Sequence, residues 1–354
     1  MISDPIIGGI QQVGIGNSDT YKLWEWYRQA FFVDIPIFDD AATAELMLRY
    51  TGGEPRERHA VLAMSMQGGG GLEIWQYTER TPEPITFDAA LGDLGLFMAK
   101  IKSKDVSKTY QHLKNINVNL LSELVSGPDG KEHFYCLDPY NNIVEVVHAD
   151  EWYTHTKVTT GGIYGCTIGV SDIDQSLRFY KDILGYDEVL YDTTAVHEDY
   201  KSLPGGNETY RRVLIRHSQQ RQGPFSQWIG GSQLELVQAL DRAPKKLFEG
   251  RYWGDIGYIH LCYDIQGMAA MKKRCEAAGH PFTVDSSDRF DMGEAAGHFS
   301  YIEDPDGTLI EFVEAHKIPI LKKLGWYLDL RKRDPAKPLP KWMLKALSLN
   351  RKKD

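Results

Sequence analysis

The sequence predicts an α+β fold made of four copies of one strand–helix–three-strand (βαβββ) module, followed by a short basic tail. Three observations predict it. The stretch from Ile163 to Gln238 reads clearly as strand, helix and three strands. The same order recurs three more times along the chain. The copies also match in pairs, first with third and second with fourth, as expected if a two-module unit was duplicated.

The third copy shows the logic of each element. Thr167, Ile168, Gly169 and Val170 form a short strand. Ser171-Asp172 offers a helix N-cap, because a short oxygen-bearing side chain can accept from the exposed N–H groups of the first turn. Ile173, Leu177, Tyr180 and Leu184 then fall on one helical stripe. Gly185 can take the left-handed conformation that ends a helix. Strand-like runs follow at Glu188–Tyr191, Arg212–Arg216 and Gln233–Gln238.

The first copy runs from Ile10-Gln11-Gln12-Val13, through a helix with Leu23 and Tyr27, to Leu72-Glu73-Ile74-Trp75. The second runs from Asp93-Leu94-Gly95 to Ile143-Val144-Glu145-Val146. The fourth runs from Asp255-Ile256-Gly257 to Leu309-Ile310-Glu311-Phe312. Copies one and three open alike, with Gly8-Gly9-Ile10 and Gly161-Gly162-Ile163. Copies two and four close alike, with Tyr135 before Asp138-Pro139 and Tyr301 before Asp304-Pro305-Asp306-Gly307. The expected organisation is a two-module domain at residues 6–150, a linker, a second at 161–316, and a tail at 317–354.

Composition agrees with a globular protein: 354 residues, 42% hydrophobic and 25% charged, with ample apolar material for two cores. No apolar run approaches the roughly 20 residues of a membrane helix, and no basic region precedes an apolar stretch at the N-terminus. The four cysteines (Cys136, Cys166, Cys262, Cys275) show no zinc-type spacing. A cytoplasmic location is the default expectation. The net charge of −9 is uneven: from Lys317 onward there are 12 Lys and Arg against 3 Asp and Glu, and the body before it carries 28 against 46. An acidic body argues against nucleic acid as a partner. In the tail, Trp342, Leu344, Leu347 and Leu349 interleave with lysines and Arg351. That pattern suits a helix docked on the acidic body or, less favourably, one lying on an anionic membrane.

Each copy ends on an apolar strand with a central glutamate: Glu73, Glu145, Glu235 and Glu311. In one strand alone, alternation explains such a residue equally well as an outward, solvated carboxylate. Four at matched positions favour an inward role, and a buried carboxylate is costly unless paired or metal-bound.

Through these repeats the stretch from Ile6 to His316 resembles the vicinal oxygen chelate superfamily, which includes glyoxalases, extradiol dioxygenases and bleomycin-resistance proteins. The resemblance implies that modules pair into two open, cupped β-barrels. It also implies metal ligands at two points per module, early in the first strand and centrally in the last. By position these are Gln12 and Glu73, Met98 and Glu145, Gly165 and Glu235, and His260 and Glu311. Alone, His260 reads as a hydrogen-bonded core histidine and Gln12 says little. His133 and His298 do not align and read as loop or strand polar residues. Met98 and Gly165 cannot ligate a hard ion. If modules pair in sequence, each barrel keeps at most three ligands. If the first pairs with the fourth, one site keeps Gln12, Glu73, His260 and Glu311, a set similar to that of glyoxalase I proteins. The crossed pairing is favoured for that reason.

The leading functional expectation is a glyoxalase-like lyase or isomerase for a small carbonyl substrate. A divalent ion (Zn, Ni, Co or Mn) would stabilise an enediolate-like oxygen pair, with Glu73 or Glu311 shuttling the proton. The basic positions that hold glutathione in such proteins have no counterpart, with Gly16 and Asn17 at the strand end. A second reading is an extradiol ring-cleaving dioxygenase on Fe(II), suggested by Tyr301, the Asp304-Pro305-Asp306-Gly307 turn and Glu311. That family needs two histidines, and one of their positions is Gly165. A third is a non-enzymatic ligand-binding protein of the resistance type, with the long third module between Thr193 and Trp228 as a lid.

Overall fold

The computed structural model describes residues 2–287, 290–291, 296–321 and 326–352. The first module comprises β1 (Ile6–Gly16), α1 (Thr20–Phe31), β2 (Ile35–Thr43), β3 (Glu57–Met64) and β4 (Gly71–Tyr77). The second has β5 (Gly95–Ser103), α2 (Val106–Asn115), the short β6 (Asn119–Leu120) and β7 (Val125–Ser126), then β8 (Glu132–Leu137) and β9 (Ile143–His148). The third has β10 (Thr160–Gly169), α3 (Ile173–Leu184), β11 (Glu188–Ala195), β12 (Tyr210–Arg216), the single turn α4 (Ser226–Ile229) and β13 (Gln233–Ala239). The fourth has β14 (Gly257–Gln266), α5 (Met268–Ala277), β15 (Val284–Asp285), β16 (Phe290–Asp291), β17 (Ala296–Glu303) and β18 (Leu309–Leu321).

The helix starts follow the expected chemistry. Asp19, Asp105 and Asp172 each accept from the backbone N–H three residues on, at 3.1, 2.9 and 2.9 Å. The fourth module has Gly267 at this place, and the cap is supplied from β18: Glu314 accepts from the N–H groups of Gly267 and Met268 at 2.7 and 3.0 Å. Gly185 ends α3 at φ 77°.

Two curled sheets result. One runs β15-β17-β18-β14-β1-β4-β3-β2 and the other β11-β12-β13-β10-β5-β9-β8-β6. In the first sheet β1 and β14 pair antiparallel, so module one meets module four. In the second β10 and β5 pair antiparallel, so module three meets module two. The pairing is therefore crossed, and each sheet draws strands from both halves of the chain. One apolar core joins the sheets, with Val13, Leu23 and Tyr27 from one side and Ile101, Ile168 and Leu184 from the other.

The Asp-Pro turns tie consecutive modules. Asp138 accepts from Tyr140 and Asn142 backbone N–H groups, and Tyr27 of α1 donates to it at 3.2 Å. Asp304 is held in the same way by Asp306 and Thr308, and Tyr180 of α3 donates to it at 2.9 Å. The matched turn residues Asn141 and Gly307 both take positive φ, 64° and 95°. That is a conformation asparagine and glycine tolerate best.

Two expectations need revision. Of the stretch between Thr193 and Trp228 expected as a lid, residues 196–209 pack inward instead: Tyr200 and Leu203 are buried against the second sheet with Tyr135 and Tyr210. The segment fills that sheet's concavity because it carries large aromatic and apolar side chains. The tail, for its part, begins as strand, since β18 runs on to Leu321 and pairs with β19 (Trp326–Asp329). The short α6 (Lys341–Ala346) then buries Leu344, with Leu339 beside it, among Ile35, Met64, Tyr153 and Trp228. Arg351 pairs with Asp34 at 2.8 Å. Trp342 remains 61% exposed. No helix among the described residues is long and apolar enough to cross a membrane.

Candidate metal centre

The register of the first sheet brings four side chains together. Gly14 on β1 lies opposite both Glu73 on β4 and His260 on β14. Cys262, two residues past His260, lies opposite both Gln12 and Glu311. Side chains at alternate positions share a face, so the concave face collects Gln12, Glu73, His260 and Glu311. Gly14 makes the arrangement possible: a Cβ there would sit 2.3 Å from His260 Cε1.

His260 Nε2 lies 3.2 Å from Glu73 Oε2 and 3.1 Å from Glu311 Oε2. Gln12 Nε2 donates to the same two oxygens at 3.3 and 3.5 Å. The ring of His260 is fully buried, stacked on Trp253 at 6.0 Å and met edge-on by Tyr301 at 5.6 Å. Glu73 and Glu311 keep 12% and 10% side-chain exposure, so the cluster opens to solvent on their side.

The donor set fits a divalent ion. Neither His260–carboxylate contact meets hydrogen-bond geometry, and both ring nitrogens are left without a partner, as is Gln12 Oε1. The imidazole nitrogen thus points between the carboxylates rather than at either. Buried polar atoms seldom stay unsatisfied, and one imidazole, one amide oxygen and two carboxylates are ordinary donors to zinc, nickel, cobalt or manganese. Glu73, His260 and Glu311 offer ligand atoms all within 4.8 Å of one another. Burial works against the Glu73 carboxylate, yet His260, Arg58 and Gln12 together hold its pKa below the usual range.

The second sheet holds the matched positions Met98, Glu145, Gly165 and Glu235, and builds something else. Gly165 has no room for a side chain, since a Cβ would lie 1.7 Å from the Gln233 carbonyl oxygen. Met98 is fully buried. Between the carboxylates stands Lys100, whose ammonium pairs with Glu145 and, at 2.7 Å, with Glu235. Arg212 bridges Glu235 and Asp199, both at 2.6 Å. Tyr191 and Tyr200 donate to Glu235 at 2.5 and 3.0 Å. His133 lies 2.8 Å from Glu145 and 3.4 Å from Asp199, at ion-pair range though without well-aligned N–H bonds. Three cations thus face three carboxylates, and an internal ammonium occupies the centre where a metal would otherwise sit.

Sequence reasoning missed Lys100, Arg212 and His133. The signal for the first was available: a lysine two residues past the ligand position, in the otherwise apolar run Leu96–Ile101. His298 behaves as expected, a half-buried strand residue 2.6 Å from Asp285.

His133 makes a pH prediction. Burial opposes its charge, but Asp199 and Glu145 outweigh it and raise the pKa from 6.5 to about 9. A raised folded-state value contributes stability that is complete below the unfolded pKa and is lost as pH rises through the folded one. Metal-loaded protein should therefore lose up to about 3 kcal/mol between pH 6.5 and 9. His133→Gln should flatten that decline in urea titrations. Parallel curves for the two proteins would refute the assignment.

Residues 162–312 match the family model described as the Glyoxalase/Bleomycin resistance protein/Dioxygenase superfamily. Among solved structures, glyoxalase I from Zea mays is similar with a TM-score of 0.56 at 13% identity, covering 97% of this chain and 96% of that one. A putative dioxygenase from Bacillus subtilis has a TM-score of 0.56 at 12% identity, covering 87% and 86%. At such identities the likeness establishes the fold. The comparison with curated protein sequences gave no match. Residues 162–312 thus carry the sequence pattern of the glyoxalase, bleomycin-resistance and dioxygenase superfamily, and the chain shares its fold with these structures over most of its length.

Proposed function

We propose that the protein is a metal-dependent enzyme of the glyoxalase type, a lyase or isomerase that moves a proton at the carbon beside a carbonyl in a small substrate. One observation carries this reading: Gln12 and Glu73 from one end of the chain meet His260 and Glu311 from the other. His260 Nε2, the two carboxylates and Gln12 Oε1, after a half-turn of the amide, would hold the ion. When bound, it supplies a Lewis acid that polarises a carbonyl oxygen.

The chain's own groups do the rest. Glu73, held ionised and partly open to solvent, is placed to accept a proton from carbon, and Glu311 faces it across His260. Carboxylates on two sides of one carbon can take a proton from one face and return it to another. The buried stack of Trp253 and Tyr301 fixes the imidazole. The dioxygenase reading lacks its second histidine, because the first cup presents an amide at that place.

Glu73→Gln and Glu311→Gln should each retain metal and lose at least about a hundredfold in kcat, since an amide ligates through oxygen but accepts no proton at neutral pH. The test has two parts: metal content of the purified protein, and C–H exchange in D2O of small 2-oxoaldehydes and α-hydroxyketones, with and without a thiol. Bound iron(II) with oxygen uptake on catechols would favour ring cleavage instead. A metal-free protein without exchange activity would favour ligand sequestration.

A further inference from the structure

A cavity of about 610 Å³ lies beside the segment that links the two halves, away from the first cup. Lys102 lines it, two residues past Lys100 and so on the same face of β5. The two lysines differ in one respect. Lys100 has two carboxylate partners. Lys102 is only 2% exposed, and its ammonium donates to the backbone oxygen of Glu151 at 2.9 Å and lies 4.9 Å from the centre of the Trp152 ring. Among the described residues it has no ion-pair partner. The Glu151 carboxylate accepts from the Gly231 N–H at 3.1 Å, and its charge offsets only part of the cost of burying the ammonium.

Room has been left for this lysine. A Cβ at Gly161 would lie 2.6 Å from Lys102 Cε, so the glycine accommodates its stem. An ammonium buried without an ion-pair partner is costly, and here burial, only partly opposed by the Glu151 charge, lowers the lysine pKa to about 8. The cavity it faces is walled by Trp152, Tyr153, Tyr164 and Trp228. Its rim adds Arg221, whose guanidinium bonds only to the Gln219 carbonyl oxygen among the described residues, and Lys341. Arg216 is already taken by Glu188 at 2.8 Å.

We propose that this cavity is a second small-molecule site, which takes a planar aromatic carboxylate with its acid group on Lys102 and its ring against the aromatic walls. The chemistry is complementary on both counts. A carboxylate supplies an ion-pair partner that Lys102 lacks, at a side chain so buried that such a contact is stronger than in water. Flat aromatic surface suits walls built from indole and phenol rings.

The experiment compares 2-naphthoate with its uncharged analogue 2-naphthamide on the metal-loaded full chain, by calorimetry and by quenching of tryptophan fluorescence. The acid should bind at least tenfold more tightly than the amide. Its binding should take up protons near pH 8 and weaken at higher pH, as the free amine loses its proton. Lys102→Met should erase the preference for the acid while leaving thermal stability equal or higher, because it removes an uncompensated charge. Equal affinity for acid and amide in the wild type would overturn the proposal. So would a preference that survives in Lys102→Met. If that variant fails to fold, the wild-type acid-to-amide ratio and its proton uptake, measured in two buffers of different ionisation heat, still decide the matter.

Discussion

Alanine at position 260 should leave the purified protein with less than about a tenth of the wild-type metal content and no measurable proton exchange on carbonyl substrates. His260 is the imidazole of the four-residue site, and its Nε2 stands within 3.2 Å of both carboxylates. Removing it leaves two carboxylates and an amide, an oxygen-only set that selects poorly for zinc or nickel. Loss of the ring also removes the partner of Trp253 and Tyr301, so Glu73 and Glu311 lose their fixed spacing. Glu145→Gln and Glu235→Gln serve as the contrast. They sit in the other cup and should leave metal and turnover nearly untouched. Wild-type metal stoichiometry in a folded His260→Ala protein would remove the basis of the proposed function. Equal metal loss in Glu235→Gln would do the same.

Much of this arrangement could be read from the chain. Strand order, the aspartate caps and the Asp-Pro turns are local, and each has a residue signature: Asp19 and Asp172 before their helices, Gly185 after one, Asp304-Pro305 before a strand. The crossed pairing is not local. The family resemblance implies it, because only that pairing leaves four of the implied donors in one place, and β1 and β14 do meet. The fourth module's borrowed cap was harder to see. Glu314 reaches Gly267 across 47 residues, and nothing near Gly267 announces it.

By ligand positions alone the second cup is a site with missing ligands, and its actual content lies at other residues. Arg212 reads like any charged residue of an alternating strand. Only the tertiary placement of Asp199 and Glu235 makes it an interior cation. His133 falls off the ligand positions, yet its ring reaches Glu145 from the neighbouring strand β8. Charges at alternate positions along Leu96–Ser103 were the available clue, since Lys100 and Lys102 both point to the concave side.

The second large effect is expected from Lys100→Met. Methionine keeps the length and apolar stem of lysine but removes the cation between Glu145 and Glu235. The concave site then holds three carboxylates against two cations, in a place where both glutamates are nearly inaccessible. Taking one partner from a buried ion pair costs about 3–5 kcal/mol, because the charge left behind is neither solvated nor matched. The same loss should push the pKa of Glu145 and Glu235 upward, since Lys100 is among the groups that hold both down against burial. The variant should consequently recover stability as pH falls, while the wild type does not. Lys100→Met with Glu145→Gln restores equal numbers of opposite charges, so the double variant should be more stable than the sum of the single losses implies. A double-mutant cycle in urea reads that coupling directly. Metal content and turnover in the first cup should hardly change in any variant that stays folded, because among the described residues the ion-pair partners of Lys100 both lie in the second cup. A loss below about 1 kcal/mol for Lys100→Met would be the size of an exposed pair and would mean that the ammonium is not the keystone of the second cup.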